Sequence, residues 1–372
     1  MNILFLTTHA NTGGITSYIV TLGSALVKSG HKVWVVSSGG DCVTGMEAVG
    51  IRHVKINIRT KSELHPKLLL SLPSLVRLIR NENINIIHAQ TRVTQLLGVW
   101  LGALTGVKMV TTCHGFFRPR WFRKAFPCWG VAVIAISKPV AQHLSVDLGV
   151  AQNKVHLIAN GIDLDRFLVA DENQRRSVRR EWNIVEAPLI GINTPLIGVI
   201  ARLSSVKGIE ILIKAMPKLL LEIPTANLMI VGQGPEEMNL RKLTQDLSLT
   251  AHVIFKNTIN QTQEILPAFD VFVMPSLMEG LGLSVMEAQA CGIPVVASRV
   301  GGLVDLIEDG KSGLLVASND PSALAARIIE MLQNPQRSKD MAQQARINIE
   351  RHFSSGTMLK NTLQIYEQYS RC

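Results

Sequence analysis

The chain is poor in cysteine: Cys42, Cys113, Cys128, Cys291 and Cys372 make an odd set of five with no CxxC spacing. That excludes a disulfide framework and a structural zinc site, and the five are read as reduced thiols. No run approaches the roughly 20 uncharged apolar residues of a membrane helix. No charged leader with a cleavage site precedes the strand-like run at 2–9, so no signal peptide is expected and the protein is expected in the cytosol. Repeats of solenoid period and low-complexity tracts are missing as well, which excludes solenoids and disordered segments.

What is present is a globular composition, 47% hydrophobic and 18% charged over 372 residues, long enough for two domains. The net charge of +10 is unevenly spread. Residues 1–188 hold 22 basic against 11 acidic side chains (+11) and residues 189–372 hold 16 against 17 (−1). A basic first half suits an anionic membrane surface, an acidic acceptor or nucleic acid.

Along the chain, an apolar strand at 2–7 leads into a turn carrying Gly13 and Gly14, then a helical pattern ending at Gly30 and a second strand at 33–38. Strand, glycine turn, helix, strand is the opening of a doubly wound parallel sheet. The turn is not GxGxxG and no acidic residue ends the second strand, which disfavours a nicotinamide dehydrogenase. Further strands are expected at 84–90, 108–115, 132–137 and 154–160, the second of these runs closing on His114 in TCHG. A charge-rich helix at 170–182 is read as a solvated linker between domains. The second half repeats the pattern: a strand at 196–201 ends beside Arg202 and Lys207, LMIVGQGP adds Gly232 and Gly234, and strands are expected at 252–259 and 268–276. Two cations at a strand's carboxyl end suit a diphosphate, although alone they are equally well solvated surface charges.

The stretch 279–298, EGLGLSVMEAQACGIPVVAS, concentrates the chemistry. Gly280 and Gly282 permit close backbone approach to a ligand, and a helix starting near Leu283 directs free N–H groups at an anion. Glu279 and Glu287 are paired carboxylates suited to a polyhydroxylated molecule, against the bland reading of a helix-capping charge and a solvated helix residue. Asp163-x-Asp165 is read as part of a turn, with Asp163 as its cap, because two carboxylates make a poor magnesium cage.

With these residues in view, the chain resembles the retaining glycosyltransferases of family 4, through Gly13-Gly14, the NGID turn at 160–163, Arg202-x4-Lys207 and Glu279-x7-Glu287. The resemblance implies a GT-B fold: two Rossmann-like doubly wound α/β domains facing an interdomain cleft, with a C-terminal helix crossing back to the N-terminal domain. Its expected boundaries are 1–168 plus about 354–372 for an acceptor-side domain, 169–190 for a linker and 191–353 for a nucleotide-sugar domain. It implies transfer of a sugar from a nucleotide-diphosphate donor to a hydroxyl acceptor, a glycan or a lipid-linked group, with retention and with neither metal nor cofactor. Arg202, Lys207, Glu279 and His114 are the expected catalytic residues. Gly13, Gly14, Gly232, Gly234, Gly280, Leu281, Gly282, Leu283 and Glu287 are the expected donor-binding residues. An epimerase or phosphorylase of the same fold remains an alternative. Nucleic acid is not expected as a partner. Two segments, 65–80 as a basic amphipathic helix and 116–129 with aromatics among four cations, read either as a peripheral contact with the inner membrane face or as a packed helix and an acceptor loop.

Overall fold

The computed structural model describes residues 1–60, 62–63, 65–117, 126–182, 184 and 194–370. The chain folds as two compact units, residues 1–161 with 354–372, and residues 162–353.

The first unit holds a seven-stranded sheet of β1 (Asn2–Leu6), β2 (Lys32–Ser37), β3 (Arg52–Lys55), β4 (Ile86–Ala89), β5 (Lys108–Cys113), β6 (Ala132–Ala135) and β7 (Val155–Leu157). The strands lie in the order β3-β2-β1-β4-β5-β6-β7 and pair in parallel throughout. Helices α1 (Gly14–Lys28), α2 (Val43–Ala48), α3 (Pro66–Asn81), α4 (Arg92–Thr105) and α5 (Lys138–Gln142) connect them. The central strands β4 and β6 are buried at every residue, as a parallel sheet covered on both faces requires. The short strand β3 went unread because RHVK lacks a β-branched run; its pairing with β2 supplies what local propensity does not.

The second unit holds a six-stranded parallel sheet of β8 (Leu196–Ile200), β9 (Asn227–Val231), β10 (Val253–Lys256), β11 (Val271–Met274), β12 (Val295–Ser298) and β13 (Leu314–Val316) in the order β10-β9-β8-β11-β12-β13. Its helices are α6 (Glu172–Glu181), α7 (Ile209–Glu222), α8 (Glu237–Asp246), α9 (Leu283–Ala290), α10 (Leu303–Leu306), α11 (Pro321–Gln333) and α12 (Pro335–His352). Both sheets reverse direction of winding once, at β1/β4 and at β8/β11, and ligands of open α/β sheets collect outside the strand ends at such a point.

Helix α6 is the segment read as a solvated linker. It belongs to the second unit, where Asp270 accepts from Arg175 at 2.8 Å, from Arg179 at 2.6 Å and from the Leu196 backbone N–H at 2.7 Å. The Arg179 side chain is buried, so one acidic residue at the start of β11 ties the charged helix to the sheet.

The last helix, α13 (Ser355–Ser370), packs on the first unit. Met358, Ile365 and Tyr366 sink into the core beside Ile3, Tyr18 and Val110, each burial stabilising by about 1.5–3 kcal/mol. The Tyr366 hydroxyl lies 2.5 Å from Nδ1 of His88 on β4. Nε2 of His88 lies 2.7 Å from Thr112 Oγ1, and Thr112 donates to the Tyr18 hydroxyl at 3.0 Å. Since Thr112 spends its proton on Tyr18, His88 donates from Nε2 and accepts the Tyr366 proton at Nδ1. Burial pushes the His88 imidazole down to about 3, so this network is neutral.

Candidate active site

Arg202 stands two residues past the end of β8, and Lys207 closes the short 3-10 turn Ser205–Lys207 ahead of α7. Gly208 then takes φ 62°, and a Cβ there would stand 2.1 Å from the Pro275 carbonyl oxygen. Only glycine lets the β8 loop lie against the β11 loop this closely. The consequence is direct: Lys207 Nζ donates to Glu279 Oε2 at 2.5 Å. Ser276 Oγ donates to the same oxygen at 3.3 Å. The two charged side chains are 23% and 12% exposed, a part-buried pair at the switch point of the sheet. Arg202 is exposed and makes no ion pair among the described residues.

A third loop seats Glu279. Its carbonyl accepts from the Gly302 N–H at 3.1 Å, and a Cβ on Gly301 would fall 1.8 Å from that carbonyl oxygen. The Gly301-Gly302 pair after β12 is therefore required by the loop carrying Glu279. Gly282 caps α9 at φ 103° and offers no side chain to the helix N-terminus. That end carries positive partial charge, beside the Lys207 cation. Leu281 is buried, so only its backbone is available to a ligand; Leu283 is partly exposed.

Gly232 and Gly234 line the β9 turn. A Cβ on either would strike the Ala201 carbonyl oxygen at 1.9 Å or that of Leu203 at 2.1 Å. Close approach is thus demanded first by the neighbouring β8 loop. Glu287 lies on α9, and Thr262 donates to its Oε2 at 2.8 Å. Burial pushes the Glu287 carboxyl up to about 7, opposed by the Thr262 hydroxyl and the Arg166 charge. The Asp163 carboxylate accepts the Asp165 backbone N–H at 3.2 Å, capping a turn.

In the first unit, Gly13 and Gly14 are exposed at the carboxyl end of β1 and open α1 without a side-chain cap. Asp41 steadies this turn by accepting from Thr12 N and Oγ1, both at 2.7 Å. His114 ends β5, with Nε2 2.7 Å from Gln90 Oε1 and its ring edge-on to Tyr18 at 4.9 Å. Burial pushes its imidazole down to about 3. Sequence reading missed Gln90, Ser276, Thr262 and Gly301-Gly302; only the last pair carried a local signal, a glycine doublet after a strand.

Comparison with known proteins joins these two halves. Residues 12–166 match the family described as Glycosyltransferase Family 4, and residues 181–348 match Glycosyl transferases group 1. The chain belongs to the family 4 glycosyltransferases. A Corynebacterium glutamicum relative, a GDP-mannose-dependent monoacylated alpha-(1-6)-phosphatidylinositol monomannoside mannosyltransferase, is 33% identical over 56% of this chain and 55% of its own length. The chain therefore spans about half of that relative. The Bacillus anthracis N-acetyl-alpha-D-glucosaminyl L-malate synthase is 24% identical over 97% of this chain and 95% of its own. Among solved structures, Anabaena HepE in complex with UDP and glucose superposes with a TM-score of 0.87 at 21% identity, covering 99% of this chain and 100% of that one. The likeness establishes the GT-B fold for this chain. The expected Rossmann-like sheets are thereby found in both halves.

Proposed function

We propose that this glycosyltransferase moves a sugar from a nucleoside-diphosphate donor to a hydroxyl of a lipid-linked or cell-envelope glycan, with retention and without a metal. The observation that carries the reading is the Lys207–Glu279 contact at the β8/β11 switch point, beside the N-terminus of α9. Cleavage of the anomeric bond places negative charge on the departing diphosphate. Lys207, Arg202 and the α9 backbone N–H groups stabilise that charge where it develops, so they favour the transition state over the ground state. Glu279 takes sugar hydroxyls, Glu287 the donor ribose, and Gly13 and Gly14 lie along the diphosphate. His114 takes a further sugar hydroxyl. The leaving phosphate accepts the acceptor's proton, which is why no enzymic nucleophile is assigned. The test is incubation with a panel of nucleotide sugars and lipid acceptors in the presence of a chelator, with the product's anomeric configuration read by NMR. Retained configuration and full turnover in chelator are expected; inversion, or loss restored by a divalent ion, overturns the mechanism.

Glu287 supplies a pH prediction. Its carboxyl is raised, so near pH 7 a large fraction is protonated, whereas ribose hydroxyls are best accepted by the carboxylate. Nucleoside diphosphate binding should therefore expel a proton from Glu287 near neutrality. Calorimetry in buffers of different ionisation enthalpy should show more proton release by the wild type than by Glu287→Gln. Equal release by the two proteins would remove Glu287 from the ribose contact.

The lipid reading rests on the basic first half and on α3. That helix buries Leu68, Leu75 and Ile79 yet leaves Leu69 57% and Leu70 78% exposed beside Lys67 and Arg77. Of the aromatic and basic segment, 118–125 lie outside the described residues. Cosedimentation with anionic but not neutral vesicles is expected, and it should weaken in Leu69→Ser/Leu70→Ser. Absence of binding to anionic vesicles at low salt would contradict it.

A further inference from the structure

Gln90 directly follows β4 and is 3% exposed, yet only part of its amide is used. Oε1 lies 2.7 Å from His114 Nε2, while its own Nε2 is buried without a partner. Its backbone N–H donates to Leu6 at 3.0 Å, which fixes it at the β1/β4 switch point. Turning the amide over would only orphan Oε1 instead. A buried polar group left unpaired costs about 1–3 kcal/mol, so a ligand that supplied an oxygen here would gain from it.

The same contact decides the state of His114. In the orientation found, the amide presents its carbonyl oxygen, which only accepts, so His114 holds its proton on Nε2 and leaves Nδ1 as an acceptor. Nδ1 has no partner among the described residues. The surrounding titratable groups do not compete. Tyr18 on α1 is buried and edge-on to the ring, His88 on β4 has both nitrogens engaged, and Tyr366 on α13 is turned to His88. The Cys113 thiol on β5 donates to the Gly115 carbonyl.

We propose that Gln90 is the positioning residue for His114: it locks the neutral ring with the proton on Nε2, keeps Nδ1 as an acceptor for a sugar hydroxyl, and has its own free amide N–H completed by an oxygen of the bound donor. This rests on the nucleotide-sugar reading above.

The ring nitrogens of His114 are read by 15N NMR in the wild type and in Gln90→Met, followed by donor kinetics for Gln90→Met and Gln90→Glu. The wild-type ring should show a protonated Nε2 and a bare Nδ1. Gln90→Met should mix the two tautomers and lower kcat/KM for the donor about tenfold, with thermal stability and nucleoside diphosphate affinity close to wild type. Gln90→Glu keeps the acceptor oxygen but brings a carboxylate to the ring, which favours imidazolium. Its kcat/KM should fall as pH drops, along an acid limb that the wild type lacks. A wild-type proton on Nδ1, an unaltered tautomer and kcat/KM in Gln90→Met, or a Gln90→Glu profile without the new limb would each overturn the proposal. The spectrum needs no sugar nucleotide. A correct tautomer in a protein inert to every donor would defeat the transferase reading, and a wrong tautomer in an active enzyme would defeat this one.

Discussion

Lys207→Ala should lower turnover at least tenfold, equivalent to about 1.4 kcal/mol of transition-state stabilisation. The ammonium is held by the 3-10 turn before α7 and by a 2.5 Å contact with Glu279, so it is aimed before any donor arrives. A preplaced cation requires no reorganisation as charge develops on the leaving diphosphate. Alanine removes that charge and also leaves the part-buried Glu279 carboxylate without its cation. The variant should bind nucleoside diphosphate more weakly, which calorimetry reads independently of turnover. Wild-type turnover would remove Lys207 from the mechanism.

Glu279→Gln should lower kcat/KM about 10- to 100-fold, because hydrogen bonds to a charged group contribute about 1.5–3 kcal/mol. Its signature differs from that of Lys207→Ala. Nucleoside diphosphate, which lacks the sugar, should bind Glu279→Gln at least as tightly as wild type, since Lys207 loses its competing carboxylate. Opposite directions in the two variants would show that one residue serves the phosphate and its neighbour the sugar. A parallel loss of nucleotide affinity in both would indicate that the pair acts only as a structural bridge.

The second half of the fold was legible because its signals are local. Buried strands ending in glycine turns, and a carboxylate just past β11, can be recognised within about ten residues. Arg202, Lys207 and Glu279 were read as one constellation, and the structure makes two of them an ion pair across 72 residues of chain. Leu281 and the glycines at 232 and 234 were read as ligand contacts, whereas the structure first shows them meeting the protein's own core and loops. What stayed hidden depends on distant partners. His88 and Tyr366 are 278 residues apart, and nothing in an IIHA strand or a C-terminal helical pattern predicts their contact. Gln90 reads as an ordinary polar residue after a strand; its meaning arises only from His114, supplied by the next strand in the sheet.

The measurement closest to the central claim is the affinity of the wild-type protein for a nucleoside diphosphate against its parent nucleoside, repeated in Arg202→Ala/Lys207→Ala. Two charge-assisted contacts of about 1.5 kcal/mol each predict at least a 100-fold preference for the diphosphate, largely lost in the double variant. Equal affinity for nucleoside and nucleoside diphosphate, or a preference that survives loss of both cations, would contradict the account.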